Sequence, residues 1–298
     1  MPSLRALARA GRSPVCVVTH PERSRRRGAG PAPAETRLAA EELGIPCLLE
    51  ADVNAPGFRE RLAAFRPDAA LVISFGQIFR RPLLGLPPLG CFNAHGSLLP
   101  RQRGAAPIQW ALLQGEQDTG VTVIRMTPGM DRGPMLLKRS IPIGPRENSA
   151  TLRERMAELS ATALLEAMER LERGAVELVP QEESQATYAP KLVHADGLLD
   201  WRSGAVAIDR RVRALFHAPG AYTRWMGRLI HVREGMPEAP AGRPGAPGEI
   251  LAAGEEGILV AAGGEAYRIT VLKPEGSREM SAPAFLRGVR LEPGALFS

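Results

Sequence analysis

Short apolar runs alternate with amphipathic stretches through the first half of the chain. "PVCVVT" (14–19), "IPCLLE" (45–50), "AALVISF" (69–75) and "GCFNAH" (90–95) are brief and rich in β-formers, the pattern of buried strands. Between them "AETRLAAEELG" keeps helical spacing up to Gly44 as its stop, and "FRERLAAFRP" ends at Pro67. Strand–helix alternation of this kind predicts an α/β domain built on a Rossmann-like, doubly wound, mostly parallel sheet. "VTVIRMT" and "PMLLKRSIPI" read as two further strands joined by the turn "PGMDRG". The long helix "TLRERMAELSATALLEAMERLERG" follows, with Leu152, Met156, Leu159 and Ala163 on one stripe, Thr151 and Glu154 at capping-box spacing and Gly174 as the stop. One element is absent. A doubly wound domain normally begins with a strand, whereas this chain opens on the helix-like "PSLRALARAG". The first strand is therefore expected ahead of Met1, in a longer reading frame.

Beyond Gly174 the pattern changes. "VELVPQEESQATYAPKL" reads as a connecting segment and "VAIDRRVRALFHAPG" as one helix. "RLIHVRE", "EILAA", "GILVAA" and "YRITVLKP" are short strand candidates separated by Gly- and Pro-rich turns. The expected organisation is a catalytic domain over 1–174, a linker over 175–195, and a small antiparallel barrel of the oligonucleotide-binding (OB) type over 196–298.

Composition narrows the class. With 298 residues, 44% hydrophobic and 23% charged, the chain has enough apolar surface for two cores. No apolar run approaches the roughly 18 residues that cross a bilayer, so a cytoplasmic protein without membrane contact is expected, and a monomer. Cys16, Cys47 and Cys91 are far apart in apolar stretches and read as core thiols, not as a disulfide or metal framework. No metal is expected. A net charge of +6, carried almost wholly by arginine, fits a polyanionic partner and equally a bias in residue usage.

The chemistry concentrates in "FNAHGSLLPRQRGAAP" (92–107). Residues two apart on a strand share a face, so Asn93 and His95 project together at the carboxyl end of a buried run, where open α/β sheets bind their ligands. Asp131, in the "PGMDRG" turn, is the carboxylate candidate that would orient the imidazole. An amide for an oxyanion, an imidazole for an amine's proton and a carboxylate for the imidazolium suit acyl transfer to an amine. A structural histidine, a turn-capping asparagine and a turn aspartate fit the same three positions. There is no GxSxG or HExxH motif to favour a serine hydrolase or a zinc enzyme.

The stretch from "FNAHGSLLPRQRGAAPIQWALLQ" to "VTVIRMTPGMDRGPML" resembles the signature of the 10-formyltetrahydrofolate-dependent formyltransferases, in wording closest to the branch that formylates methionyl-tRNA. "THPERSRRRG", "ATYAPKL", "LLDW", "GEIL" and "REMSAPAFLRG" extend the likeness over nearly the whole chain. The resemblance implies that Asn93, His95 and Asp131 carry the catalysis. It implies that 10-formyltetrahydrofolate, as formyl donor, lies against Ser97, Leu98, Leu99 and Pro100 and near Phe75, Gly76 and Ile78. It further implies that a loop with Arg23, Arg25, Arg26 and Arg27 enters the acceptor stem of initiator methionyl-tRNA, with Arg210, Arg211, Arg213, Arg224 and Arg228 near further backbone contacts. "SRR" replaces the family's "PAG" in that loop. A relative formylating an amino sugar, a formyl-folate hydrolase and an inactive, truncated tRNA-binding form remain as alternatives.

Overall fold

The helix-like start folds as α1 (Pro2–Arg9), and the first apolar run as β1 (Val17–Thr19). After α2 (Glu35–Glu42), β2 (Cys47–Leu49) lies parallel to β1, with Val17 opposite Cys47. Cys16 packs in the cluster of Phe58, Leu62 and Cys91, whereas Cys47 packs with Val17 and Ala40. The three thiols are free, and burial pushes that of Cys91 up to about 11. These elements come from a computed structural model that describes residues 1–22, 33–239 and 245–298.

α3 (Phe58–Ala63), β3 (Ala70–Val72), α4 (Arg81–Leu84) and β4 (Cys91–His95) follow, then β5 (Arg103–Gly104), α5 (Pro107–Gln114), β6 (Asp118–Arg125) and β7 (Met135–Pro142). The larger sheet runs β3-β4-β6-β7. Only β3 and β4 are parallel; β4–β6 and β6–β7 are antiparallel. The sheet is thus mixed, where the sequence pattern pointed to a mostly parallel one. Length explains the β6–β7 pair, though not β4–β6, which are joined through α5 by residues 96–117. A parallel return needs a crossover of about a dozen residues or more, and only residues 126–134 separate β6 from β7. β1–β2 and β3-β4-β6-β7 are separate sheets among the described residues.

The long helix is α6 (Ser149–Glu172). Leu152, Met156 and Ala163 are buried as its stripe requires, joined by Leu164, Ala167 and Leu171. Its cap differs from the expected Thr151–Glu154 box. Asn148 Oδ1 accepts the N–H groups of Ala150 (2.9 Å) and Thr151 (3.1 Å), so the helix starts earlier, at a residue with a short acceptor side chain. The segment after it is not a bare connection. Val179 exchanges both backbone hydrogen bonds with Met135 (2.8 and 2.9 Å), and β8 (Tyr188–Ala189) lies parallel to β5.

Contacts divide the chain into two units: Met1–Pro107, Asp118–Pro142 and Glu154–Ala189, and then Ile108–Gln117, Ile143–Arg153 and Pro190–Ser298. In the second, α7 (Ala205–Ala214) packs on a six-stranded antiparallel sheet. Its strands are β9 (Tyr222–Trp225), β10 (Arg228–Glu238), β11 (Ile250–Gly254), β12 (Gly257–Ala262), β13 (Glu265–Pro274) and β14 (Met280–Ser281), followed by α8 (Ala282–Leu286). The order is β11-β12-β13-β10-β9, with β14 on β13. Among the described residues the sheet does not close strand to strand. The last residues span its ends instead: Ile250 N–H donates to the Ala295 carbonyl (2.8 Å) beside β11, and Arg224 exchanges backbone bonds with Ser298 (2.7 and 3.1 Å) beside β9.

Candidate active site

His95 is the last residue of β4, 6% exposed, and Asn93 lies two residues earlier on the same face. The imidazole Nε2 is 2.8 Å from the Gln102 carbonyl. A carbonyl oxygen only accepts, so Nε2 carries a hydrogen and a neutral ring has its lone pair on Nδ1. That nitrogen faces Asp131 Oδ1 at 3.5 Å. The distance is longer than a tight hydrogen bond and short enough for the carboxylate to balance an imidazolium; opposite unit charges about 4 Å apart attract by roughly 4 kcal/mol at an effective dielectric of about 20. Asn93 is partly exposed, and no hydrogen bond is made to its carboxamide among the described residues. The three residues expected to act together are brought to the carboxyl end of β4 in this form: His95 and Asp131 in contact, Asn93 beside them on the strand.

Asp131 sits at φ +52°, a left-handed position that aspartate tolerates better than most side chains. Its Oδ2 accepts the Gly104 N–H at 2.9 Å. Two glycines allow this turn. A Cβ on Gly133 would stand 1.8 Å from the Arg125 carbonyl oxygen, and one on Gly104 (φ +119°) would stand 2.7 Å from that of Ala189. β5 is clamped in turn by the segment 187–189: Arg103 and Ala105 donate to the carbonyls of Thr187 and Ala189 (2.9 Å each), and Gln102 N–H donates to Thr187 Oγ1 (2.9 Å).

Sequence reading missed the groups behind this contact. Arg103 is buried, with its Nε and Nη2 on Gln181 Oε1 (3.0 and 2.8 Å) and its Nη1 and Nη2 on the two Glu183 carboxylate oxygens (2.9 and 2.8 Å). Gln181 Nε2 donates to the carbonyls of Asp131 and Gly133, both at 2.8 Å. The sole local hint is that Gln181 and Glu183 stand two apart, as one face of an extended segment requires. The Arg103 hydrogen bond holds the Glu183 carboxyl below its ordinary range. Because the folded value is depressed, the pair contributes fully above the ordinary glutamate value of about 4.3 and is lost as pH falls through the lower folded value. Glu183→Gln is therefore expected to flatten part of the acid-side fall in Tm, measured as thermal melts from pH 6 down to about pH 3.

Around the expected folate residues the structure is equally specific. Ser97, Leu99 and Pro100 are buried and Leu98 is half-buried. Ser97 Oγ donates to the Arg101 carbonyl (2.7 Å), while Thr122 Oγ1 donates to the Ser97 carbonyl (2.7 Å) and accepts the Leu99 N–H (3.1 Å). This turn offers shape and backbone more than free side-chain groups. Phe75, Gly76 and Ile78 follow β3, the parallel neighbour of β4, with Ile78 exposed. The Phe75 ring stacks on His20 at 5.0 Å, and His20 Nε2 donates to the Phe75 carbonyl (2.9 Å), tying the carboxyl ends of β1 and β3 together.

Arg23, Arg25, Arg26 and Arg27 lie outside the described residues. In the second unit Arg213 is paired with the buried Asp209 (2.7 Å) and Arg211 donates to the Asp196 carbonyl, so these two are internal ties; Arg224 and Arg228 are exposed. A cavity of about 240 Å³ in that unit is lined by Trp110, Leu113, Ile208 and Leu215, with Asp196 and Arg211 already committed to backbone groups, and includes none of the expected catalytic or folate residues. Among the described residues no three His, Cys, Asp or Glu side chains gather to hold a metal, and no helix is long and apolar enough to cross a membrane.

Comparison with known proteins now decides the family. The formyl transferase model matches residues 5–168, and the formyl transferase C-terminal domain model matches residues 191–290. The chain belongs to the formyl transferase family. Methionyl-tRNA formyltransferases of Citrifermentans bemidjiense and Geobacter metallireducens are 44% and 41% identical to it, over 99% and 98% of this chain and 92% and 93% of theirs. Among solved structures, HypX from Aquifex aeolicus in complex with tetrahydrofolic acid is similar in fold (TM-score 0.60, 23% identical, 87% of this chain and 47% of that one). Within this formyl transferase, the matched stretch 5–168 contains Asn93, His95 and Asp131.

Proposed function

We propose that the chain transfers the formyl group of 10-formyltetrahydrofolate to the α-amine of initiator methionyl-tRNA, giving N-formylmethionyl-tRNA and tetrahydrofolate for translation initiation. The observation that carries the chemistry is His95 with Nε2 fixed on a carbonyl and Nδ1 facing Asp131. The substrates follow from family membership and from full-length identity above 40% to methionyl-tRNA formyltransferases.

The amine nitrogen attacks the formyl carbon, and the carbonyl oxygen takes the electron pair as a tetrahedral oxyanion. The Asn93 carboxamide donates to that oxygen, a role suited to a partly exposed amide that no group among the described residues holds. His95 Nδ1 takes the proton lost by the attacking amine, and Asp131 balances the imidazolium. Collapse of the intermediate breaks the bond from the formyl carbon to N10, and N10 leaves with the proton that His95 Nδ1 carries. The folate lies against the turn of Ser97, Leu98, Leu99 and Pro100 and the loop of Phe75, Gly76 and Ile78, a mostly apolar wall with backbone polar groups. Arg23, Arg25, Arg26 and Arg27 meet the acceptor stem. The second domain, an OB-type barrel closed by the C-terminal tail, presents the exposed Arg224 and Arg228 to the tRNA backbone. The enzyme acts in the cytoplasm as a monomer.

Incubating the full chain with 10-formyltetrahydrofolate and, in parallel, charged initiator tRNA, a nucleotide-linked amino sugar or buffer alone separates the possibilities. Formylmethionyl-tRNA as the dominant product is expected. A formylated sugar, free formate, or tRNA binding without any turnover refutes the assignment.

A further inference from the structure

We propose that Gln181, held in one orientation by Arg103, is a positioning residue that sets Asp131 for its contact with His95. The inference rests on the catalytic reading above. Its starting point is the backbone exchange between Met135 and Val179. An antiparallel register through that pair brings Gln181 opposite Gly133 and Glu183 opposite Asp131, so the segment after α6 runs alongside the turn that carries the carboxylate.

The carboxamide of Gln181 has one low-energy orientation there. Its oxygen receives two N–H groups from the buried Arg103 guanidinium, and its nitrogen gives both hydrogens to the carbonyls of Asp131 and Gly133. Rotating the amide by half a turn would set NH₂ against a cation and oxygen against two carbonyls, four unfavourable contacts in place of four favourable ones. Arg103 cannot rotate either, because Glu183 grips its other edge with two oxygens. Arg103 also acts by a second route. It is half of β5, and the next residue, Gly104, donates its N–H to Asp131 Oδ2. One guanidinium thus fixes the peptide of Asp131 through Gln181 and its carboxylate through Gly104. Among the described residues none of these groups hydrogen-bonds to His95, and a displacement of about 1 Å at a reacting centre is worth up to about 100-fold in rate.

Gln181→Glu keeps an acceptor for Arg103 and removes both donors to the turn, so it isolates the positioning half of the network. In the full chain it is expected to lower kcat about 10- to 100-fold while leaving KM for both substrates within about twofold. The His95 ring nitrogen-15 resonances are expected to move in the direction that Asp131→Asn moves them, and Gln181→Glu added to Asp131→Asn to move them no further. Gln181→Met, which adds no charge, gives the same resonance readout should the glutamate variant not fold by circular dichroism. A folded Gln181 variant with wild-type kcat and unmoved His95 resonances, alongside an inactive Asp131→Asn, overturns the positioning role and leaves the active site standing. Full activity of Asp131→Asn overturns the active site itself and the inference with it.

Discussion

Replacing His95 with alanine is expected to lower kcat for methionyl-tRNA formylation by about 10²- to 10⁴-fold, the usual worth of a positioned proton carrier. In the proposed mechanism the imidazole takes the amine's proton at Nδ1, which faces Asp131, while Nε2 is closed off by Gln102. KM for either substrate is expected to change little, because the ring is 6% exposed and offers no surface for ground-state binding. Folding should survive. The substitution leaves the Gln102 carbonyl without its donor, a cost of about 1–3 kcal/mol that a thermal melt reads separately from turnover. Single-turnover formylation followed by acid gel electrophoresis checks the prediction, and a variant that keeps a tenth of wild-type kcat removes His95 from the proton path.

Gly133→Ala is expected to have the second largest effect, and to damage activity and stability together. The new methyl carbon would occupy a point 1.8 Å from the Arg125 carbonyl oxygen, which belongs to the end of β6 and has no flexible side-chain end to withdraw. The turn must move, and with it Asp131 and the Gly133 carbonyl that Gln181 holds. Overpacking of this kind costs about 1–3 kcal/mol, and misplacing Asp131 adds a loss of about 100-fold in kcat. Alanine at Gly129 provides the contrast, since a Cβ there approaches nothing closer than the Arg132 side chain at 3.3 Å. Equal Tm and kcat for Gly133→Ala and Gly129→Ala would show that the close approach to Arg125 does not fix the turn.

Much of the site was legible in the sequence because it is local. A five-residue strand ending in histidine sets Asn93 and His95 on one face whatever surrounds it, and a turn with glycine on both sides of an aspartate announces an unusual backbone there. The brace behind the aspartate was not legible. Arg103 and Gln181 lie 78 residues apart, and an arginine in a small-residue loop reads as solvated until a second segment covers it. The same reason hid β5 and β8, two-residue strands defined only by each other. Periodicity found the buried stripe of α6 but not its start, because Asn148 lies outside the repeating pattern. The direction of β7 against β6 depended on connection length, which strand propensity does not report.

The carbonyl of Gln102 makes the imidazole a one-handed courier. With its far nitrogen sealed inside the protein, the ring has no second exit through which to pass a hydrogen ion onward. In the proposed mechanism, whatever it collects from the incoming amino group must depart by the same door, either to the departing folate nitrogen or to solvent after the products leave.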